Sequence, residues 1–208
     1  VQIDFIPAGT GTYYGGATGY YLAYMEPTGY LYAQAVARHD LTTVRRVLEA
    51  VLLQERAYGH TVVLVKFDAG SEARQTELGE GAAAELQTAL GTVVRGAAGN
   101  DHDHISGCEA SVNVVQRMTV AAMARAKAKG ATDYYKIECA VYQAAVANVK
   151  QCNKAETTRA HAHTSKPART ESFAAMLWFS QVSFPPNDTE ASLKPKGTMS
   201  LDTVSRTS

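Results

Sequence analysis

The chain begins on a period of two. Val1, Ile3 and Phe5 alternate with Gln2, Asp4 and Ile6, which predicts a strand with one face in the core and Asp4 late on the other, just before Pro7 ends it. Pro7 to Gly19 is rich in Gly and Thr and reads as a loop or hairpin turn. The aromatic and apolar runs Tyr20 to Met25 and Tyr30 to Val36 flank Glu26-Pro27-Thr28-Gly29, a turn that pairs them as antiparallel strands. The period then lengthens: Leu41, Val44, Val47, Leu48, Val51 and Leu52 recur at helical spacing between a capping Asp40 and a closing Gly59. In TVVLVKFDAGSE, Val62 to Val65 and Phe67 form a short β-branched run suited to a buried strand, and Asp68 stands at its carboxyl end. A helix from about Glu80 to Leu90, a short strand from Thr92 to Arg95 and a glycine-rich loop from Gly96 to Gly107 follow. Cys108 to Lys129 has no breaker and much alanine, and Asp133 can cap a last helix to about Gln151, with Tyr135, Cys139, Tyr142, Val146 and Val149 on one side.

This order predicts an α/β domain over residues 1–153, a mixed five-stranded sheet of three antiparallel strands then two parallel ones, flanked by helices. The pattern fades in residues 154–208. ETTRAHAHTSKPARTES reads as a polar linker, followed by one apolar segment at 173–184 that must bury itself against something.

A chain of 208 residues can bury a core of this kind. Its twenty basic and twenty acidic side chains cancel, so polyanion binding requires a local patch. The odd set Cys108, Cys139 and Cys152, without CxxC spacing, points to a reducing, intracellular compartment. No apolar run has the length of a membrane span, and the opening inside a strand pattern reads as a piece of a longer polypeptide.

Candidate chemistry lies in three acids. Asp4 and Asp68 come onto neighbouring strands if the helix between them makes a right-handed crossover, and Glu109 opens the long helix. Ligands of open α/β sheets bind at the carboxyl edge, where Asp68 sits. Two of the acids also have a plainer reading, Asp68 as a helix cap and Glu109 as a partner of the helix dipole. Clustered carboxylates repel unless a cation neutralises them, and hard oxygen ligands suit Mg²⁺ or Mn²⁺. Two such ions roughly 4 Å apart serve both oxygens of a phosphoryl displacement. Along the helix, Asn113, Gln116 and Arg117 extend a polar stripe from Glu109, while Val112, Val115, Thr119 and Ala122 can pack on the sheet.

Residues 1 to about 154 resemble the catalytic core of retroelement integrases, most closely the Copia type, within the ribonuclease H-like fold. The resemblance rests on Asp4-Phe5-Ile6-Pro7, on the aromatic hairpin from Gly19 to Val36, on Asp68-Ala69-Gly70-Ser71-Glu72, and on Ser106-Gly107-Cys108-Glu109 opening a long helix. It implies that Asp4, Asp68 and Glu109 bind two Mg²⁺ or Mn²⁺ ions and carry DNA strand transfer or phosphodiester cleavage, with Glu72 supporting or capping. It further implies element and target DNA as partners, a homo-oligomer, other domains of a polyprotein, and a nuclear location in a eukaryotic host. The sequence departs from the pattern in two places. Glu109 is one residue closer to Gly107 than the family motif requires, which puts Ala110 at the acid's position, and 41 positions separate Asp68 from Glu109, several more than usual. The same fold kept without chemistry, as a nucleic-acid-binding or assembly module, is the alternative function; an unrelated α/β enzyme with Asp68 at its crevice is a third.

Lys66, Arg95, Asn113 and Arg117 are candidates for a DNA path, extended by Arg125, Lys127 and Lys129, although such residues on helix ends are ordinarily solvated charge. His102-Asp103-His104 has metal-binding residue types in a polar loop, and His161 and His163 read as solvent-exposed linker residues. Gly9 to Gly19 lacks the Gly-Lys-Ser/Thr of a phosphate loop, and Cys108 reads as a small apolar helix residue rather than a nucleophile.

Overall fold

A computed structural model describes residues 1–68, 81–97, 106–150 and 157–166. Three strands come first, β1 (Gln2–Pro7), β2 (Gly19–Met25) and β3 (Tyr30–Val36), with a short 3₁₀ turn at Tyr14–Gly16 between β1 and β2. Then follow α1 (Leu41–Ala57), β4 (Leu64–Asp68), α2 (Ala82–Leu90), β5 (Val93–Ala97), α3 (Ser106–Lys127), α4 (Lys136–Lys150) and a short α5 (Arg159–Thr164). The sheet has five strands in the order β3-β2-β1-β4-β5, antiparallel from β3 to β1 and parallel from β1 to β5. That is the mixed plan expected from the sequence.

The start of α1 follows from local chemistry. Asp40 has extended backbone and accepts the Thr43 N–H at 2.7 Å, satisfying a donor that the first helical turn leaves free. Its apolar stripe, Val44, Val47, Leu48, Val51 and Leu52, is buried together with Ile3, Val65, Leu86 and Val94 on one face of the sheet. The other face carries Ile6, Tyr20, Leu22 and Leu31 beneath Val115 of α3 and Ile137, Ala140 and Ala144 of α4. Gln2, expected on an outward face of β1, is therefore only 2 % exposed. The one-sided strand of the sequence reading is covered on both sides because two helices lie on each face.

Two further expectations change. The final long helix is entered through a 3₁₀ turn at Asp133–Tyr135 that Thr132, not Asp133, caps by accepting the Tyr134 N–H. Its buried residues are Ile137, Cys139, Ala140, Gln143, Ala144 and Val146 through Val149, so Tyr135 and Tyr142 lie at the margin. The polar stretch after residue 154 is not all linker: Thr158 caps α5, which packs on α4 and β3. The apolar segment at 173–184 lies outside the described residues.

Candidate active site at the carboxyl edge of the sheet

The register of β1 and β4 positions the first two acids. Gln2 pairs with Lys66 and Ile3 with Phe67, so Asp4 and Asp68 come next on two adjacent parallel strands. On its other side Asp4 is paired with Leu22 of β2, and Asp68 with Ala97 of β5. Asp4 is half-buried. Its field is felt by Tyr20, whose hydroxyl is pushed up to about 12, chiefly by burial and then by the Asp4 carboxylate. The Tyr20 hydroxyl is buried and has no hydrogen-bond partner among the described residues.

The third acid, Glu109, belongs to α3. Its first turn is tied to the face of β1 that bears Asp4, since the Cys108 N–H donates to Gln2 Oε1 at 2.9 Å and the Cys108 thiol to the Leu22 carbonyl at 3.4 Å. Gly107 permits this approach: a Cβ there would stand 2.6 Å from Tyr24 Cε1, closer than any side chain tolerates. Burial drives the Cys108 thiol far above its ordinary pKa, with Asp4 and then Glu109 adding to the shift. The buried residues of α3, Cys108, Ser111, Val115, Thr119 and Ala122, define the side against the sheet. At about 100° per residue, Glu109 and Ala110 are turned roughly 120° and 140° from the middle of that side, and both are exposed. Glu109, and Ala110 to which the motif count points, both lie on the outward half of the helix.

The basic candidates divide. Lys66 is one rung behind Asp68 and lies 3.9 Å from Glu26 Oε2, while Arg95 is paired with Lys66 in register and is exposed on β5. Asn113 and Arg117 are exposed on the outer stripe of α3, where the Arg117 Nε–H donates to the Asn113 carbonyl at 3.2 Å. Of the more distal cations, Lys127 is held by Asp133 at 2.8 Å. Glu72 and His102-Asp103-His104 lie outside the described residues.

The sequence reading missed a second polar cluster. Glu55 of α1, His60 after it and His163 of α5 present ligand atoms within 4.8 Å of one another. His163, expected to be a solvent-exposed linker residue, is 3 % exposed because it stacks on Tyr30 at a centroid distance of 4.4 Å; His161 on the same helix is exposed. Burial holds the His163 imidazole below its usual pKa, with Glu55 opposing. One signal was legible: Glu55 continues the spacing of Val44, Val47, Leu48, Val51 and Leu52, so the buried stripe of α1 ends on an acid.

No protein-family model and no curated protein sequence matches this chain. Solved structures do. The catalytic core domain of integrase from BIV superposes with a TM-score of 0.53 at 11% identity, over 85% of this chain and 97% of that one. A chain of the simian T-cell lymphotropic virus intasome, solved in complex with the PP2A regulatory subunit B56 gamma, gives 0.56 at 10% identity, over 81% of this chain and 55% of its own length. The β3-β2-β1-β4-β5 sheet and its flanking helices have the ribonuclease H-like fold of retroviral integrase catalytic cores.

Proposed function

We propose that this chain is the catalytic core of a retroelement integrase, of the Copia type, that cleaves and joins DNA phosphodiesters using Asp4, Asp68 and Glu109. The observation that supports this most strongly is the parallel register of β1 and β4, which makes Asp4 and Asp68 neighbours at the sheet's carboxyl edge with the first turn of α3 tied alongside. The donor set fits hard divalent cations, being three carboxylates from three elements with no sulfur or imidazole ligand among them. Asp4, Asp68 and Glu109 would hold Mg²⁺ or Mn²⁺, which when bound lowers the cost of charge on the attacking and leaving oxygens. The protein's own part is positional. Asp4 and Asp68 are carried on paired strands, so their spacing is set by backbone hydrogen bonds rather than by a loop. Glu109 stands in the first turn of α3, at the positive end of its dipole. Arg95 and Arg117, both exposed, are suited to phosphates along a DNA path, and the protein works as an oligomer on element ends and target, in the nucleus if its host is a eukaryote.

The experiment is a cleavage and strand-transfer assay on duplex oligonucleotides in Mg²⁺, Mn²⁺ or EDTA. Wild type should give metal-dependent product, and Asp4→Asn, Asp68→Asn and Glu109→Gln should each reduce it to background while remaining folded. Full activity in Asp68→Asn, or no product from the wild type with either metal, would favour the fold kept as a binding or assembly module.

A further inference from the structure

At the opposite end of the sheet, near the amino ends of β1 and β4, Glu55, His60 and His163 converge. Glu55 Oε1 lies 2.9 Å from His163 Nε2, and Glu55 Oε2 lies 3.0 Å from His60 Nδ1. We propose that these three residues form a binding site for a borderline transition-metal ion, with Zn²⁺ the best fit. Two imidazoles and one carboxylate are a recurrent three-ligand set for zinc, and the acids of the carboxyl edge offer no such nitrogen donors. Zinc bonds of about 2.0–2.1 Å place tetrahedral ligand atoms roughly 3.3 Å apart, and the three ligand atoms, which lie within 4.8 Å of one another, reach that spacing by opening the Glu55–imidazole contacts and drawing the outermost pair together.

The surroundings are those of a supported site. The Tyr32 hydroxyl donates to Glu55 Oε1 at 2.8 Å, orienting the carboxylate. His163 Nδ1 lies 3.0 Å from Thr28 Oγ1, which is also 3.3 Å from the Met25 carbonyl. Thr28 therefore serves either tautomer. In the tautomer with the proton on Nε2, the Thr28 hydroxyl donates to His163 Nδ1 and the Nε2–H donates to Glu55. With metal the hydroxyl turns to Met25, accepts the Nδ1–H, and leaves the Nε2 lone pair for the ion. This relay of partners behind a ligating histidine is what fixes its tautomer at metal centres. The fourth position faces a pocket of about 580 Å³ lined by Met25, Pro27, Val63 and Lys66 as well as the three ligands, so water or a small anion can complete the coordination. The ion joins α1 to α5 across 108 residues of sequence, so it also fastens the chain after residue 157 to the sheet.

Calorimetric titration of the full chain with ZnCl₂ in excess MgCl₂ tests this, because Mg²⁺ occupies carboxylate sites and leaves histidines free. One equivalent of Zn²⁺ should bind, with affinity lower by about tenfold or more in His60→Gln and His163→Gln and by about tenfold in Thr28→Val. His161→Gln and the double variant His102→Gln/His104→Gln should bind as the wild type does. His60 is only partly buried, so its variant remains informative if replacement of His163 disturbs the fold. Absence of stoichiometric binding, or binding that survives in His60→Gln and disappears in the His102/His104 variant, would overturn the assignment.

Discussion

Single residues decide how the first turn of α3 meets the sheet. Gly107 has no room for a side chain beside Tyr24, so Gly107→Ala should push the helix start outward, lower the melting temperature, and reduce strand transfer even though no acid is changed. Parallel denaturation and activity measurements check both effects. The two cysteines described are sealed by burial: the Cys139 thiol is pushed up to about 11, and Cys108 further still. At pH 7 only about one Cys139 thiol in ten thousand is ionised, so neither residue should label with a thiol reagent until the protein unfolds. Asp40 is held below the usual carboxylate range by hydrogen bonds from Thr43, first its side chain and then its N–H, and by Arg38 and Arg46. Because its folded pKa is depressed, its contribution is present above the unfolded value near 3.8 and is lost as pH falls through the folded value. Acid unfolding of Asp40→Asn should therefore show less loss of stability between pH 5 and pH 2 than wild type. Asp40 was legible as a cap because an apolar helical stripe follows it directly. Asp133 misled because Thr132 sits one position earlier with extended backbone and captures the turn first.

At the scale of elements, the hairpin and α1 were readable because their apolar periods are long and their turn residues unambiguous. The second covered face of β1 was not, since Gln2 and Asp4 are polar and the Gln2 side-chain carbonyl's partner is a backbone N–H more than a hundred residues away. The short α5 was equally hidden, because six residues are too few for a helical period to show. A contact of the same hidden kind closes the outer strand. Asn148 of α4 accepts the Leu31 N–H and donates to the Leu31 carbonyl, both at 2.8 Å, standing in for a missing neighbouring strand on β3. Asn148→Ala leaves two backbone groups without partners and should cost on the order of 2–4 kcal/mol in urea unfolding. A similar loss after Leu48→Ala, about 2–5 kcal/mol, would reflect the cavity left in the α1 face of the core. Wild-type stability in the Asn148 variant would mean that water replaces the clamp.

For the molecule as a whole, the strand order was legible from the alternation of strands and helices together with the handedness of parallel crossovers. The partnership of Asp4 with Asp68 depended on register, which one residue of slip would have reversed. Glu109 was the least legible, because the motif count falls one position later, on Ala110, and both residues lie outside the buried stripe of α3. At 10–11% identity the solved integrases speak for architecture alone, and the proposed chemistry rests on this chain's own acids. The two ends of the sheet are also chemically unlike, carboxylates at the carboxyl edge and a carboxylate with two imidazoles at the amino edge. Diffraction from Mn²⁺-soaked crystals, with anomalous maps calculated at the manganese edge, addresses the central claim most directly. Manganese density among Asp4, Asp68 and Glu109 is the predicted result; maps without manganese at these three carboxylates, with the ion found only at other sites, would contradict it.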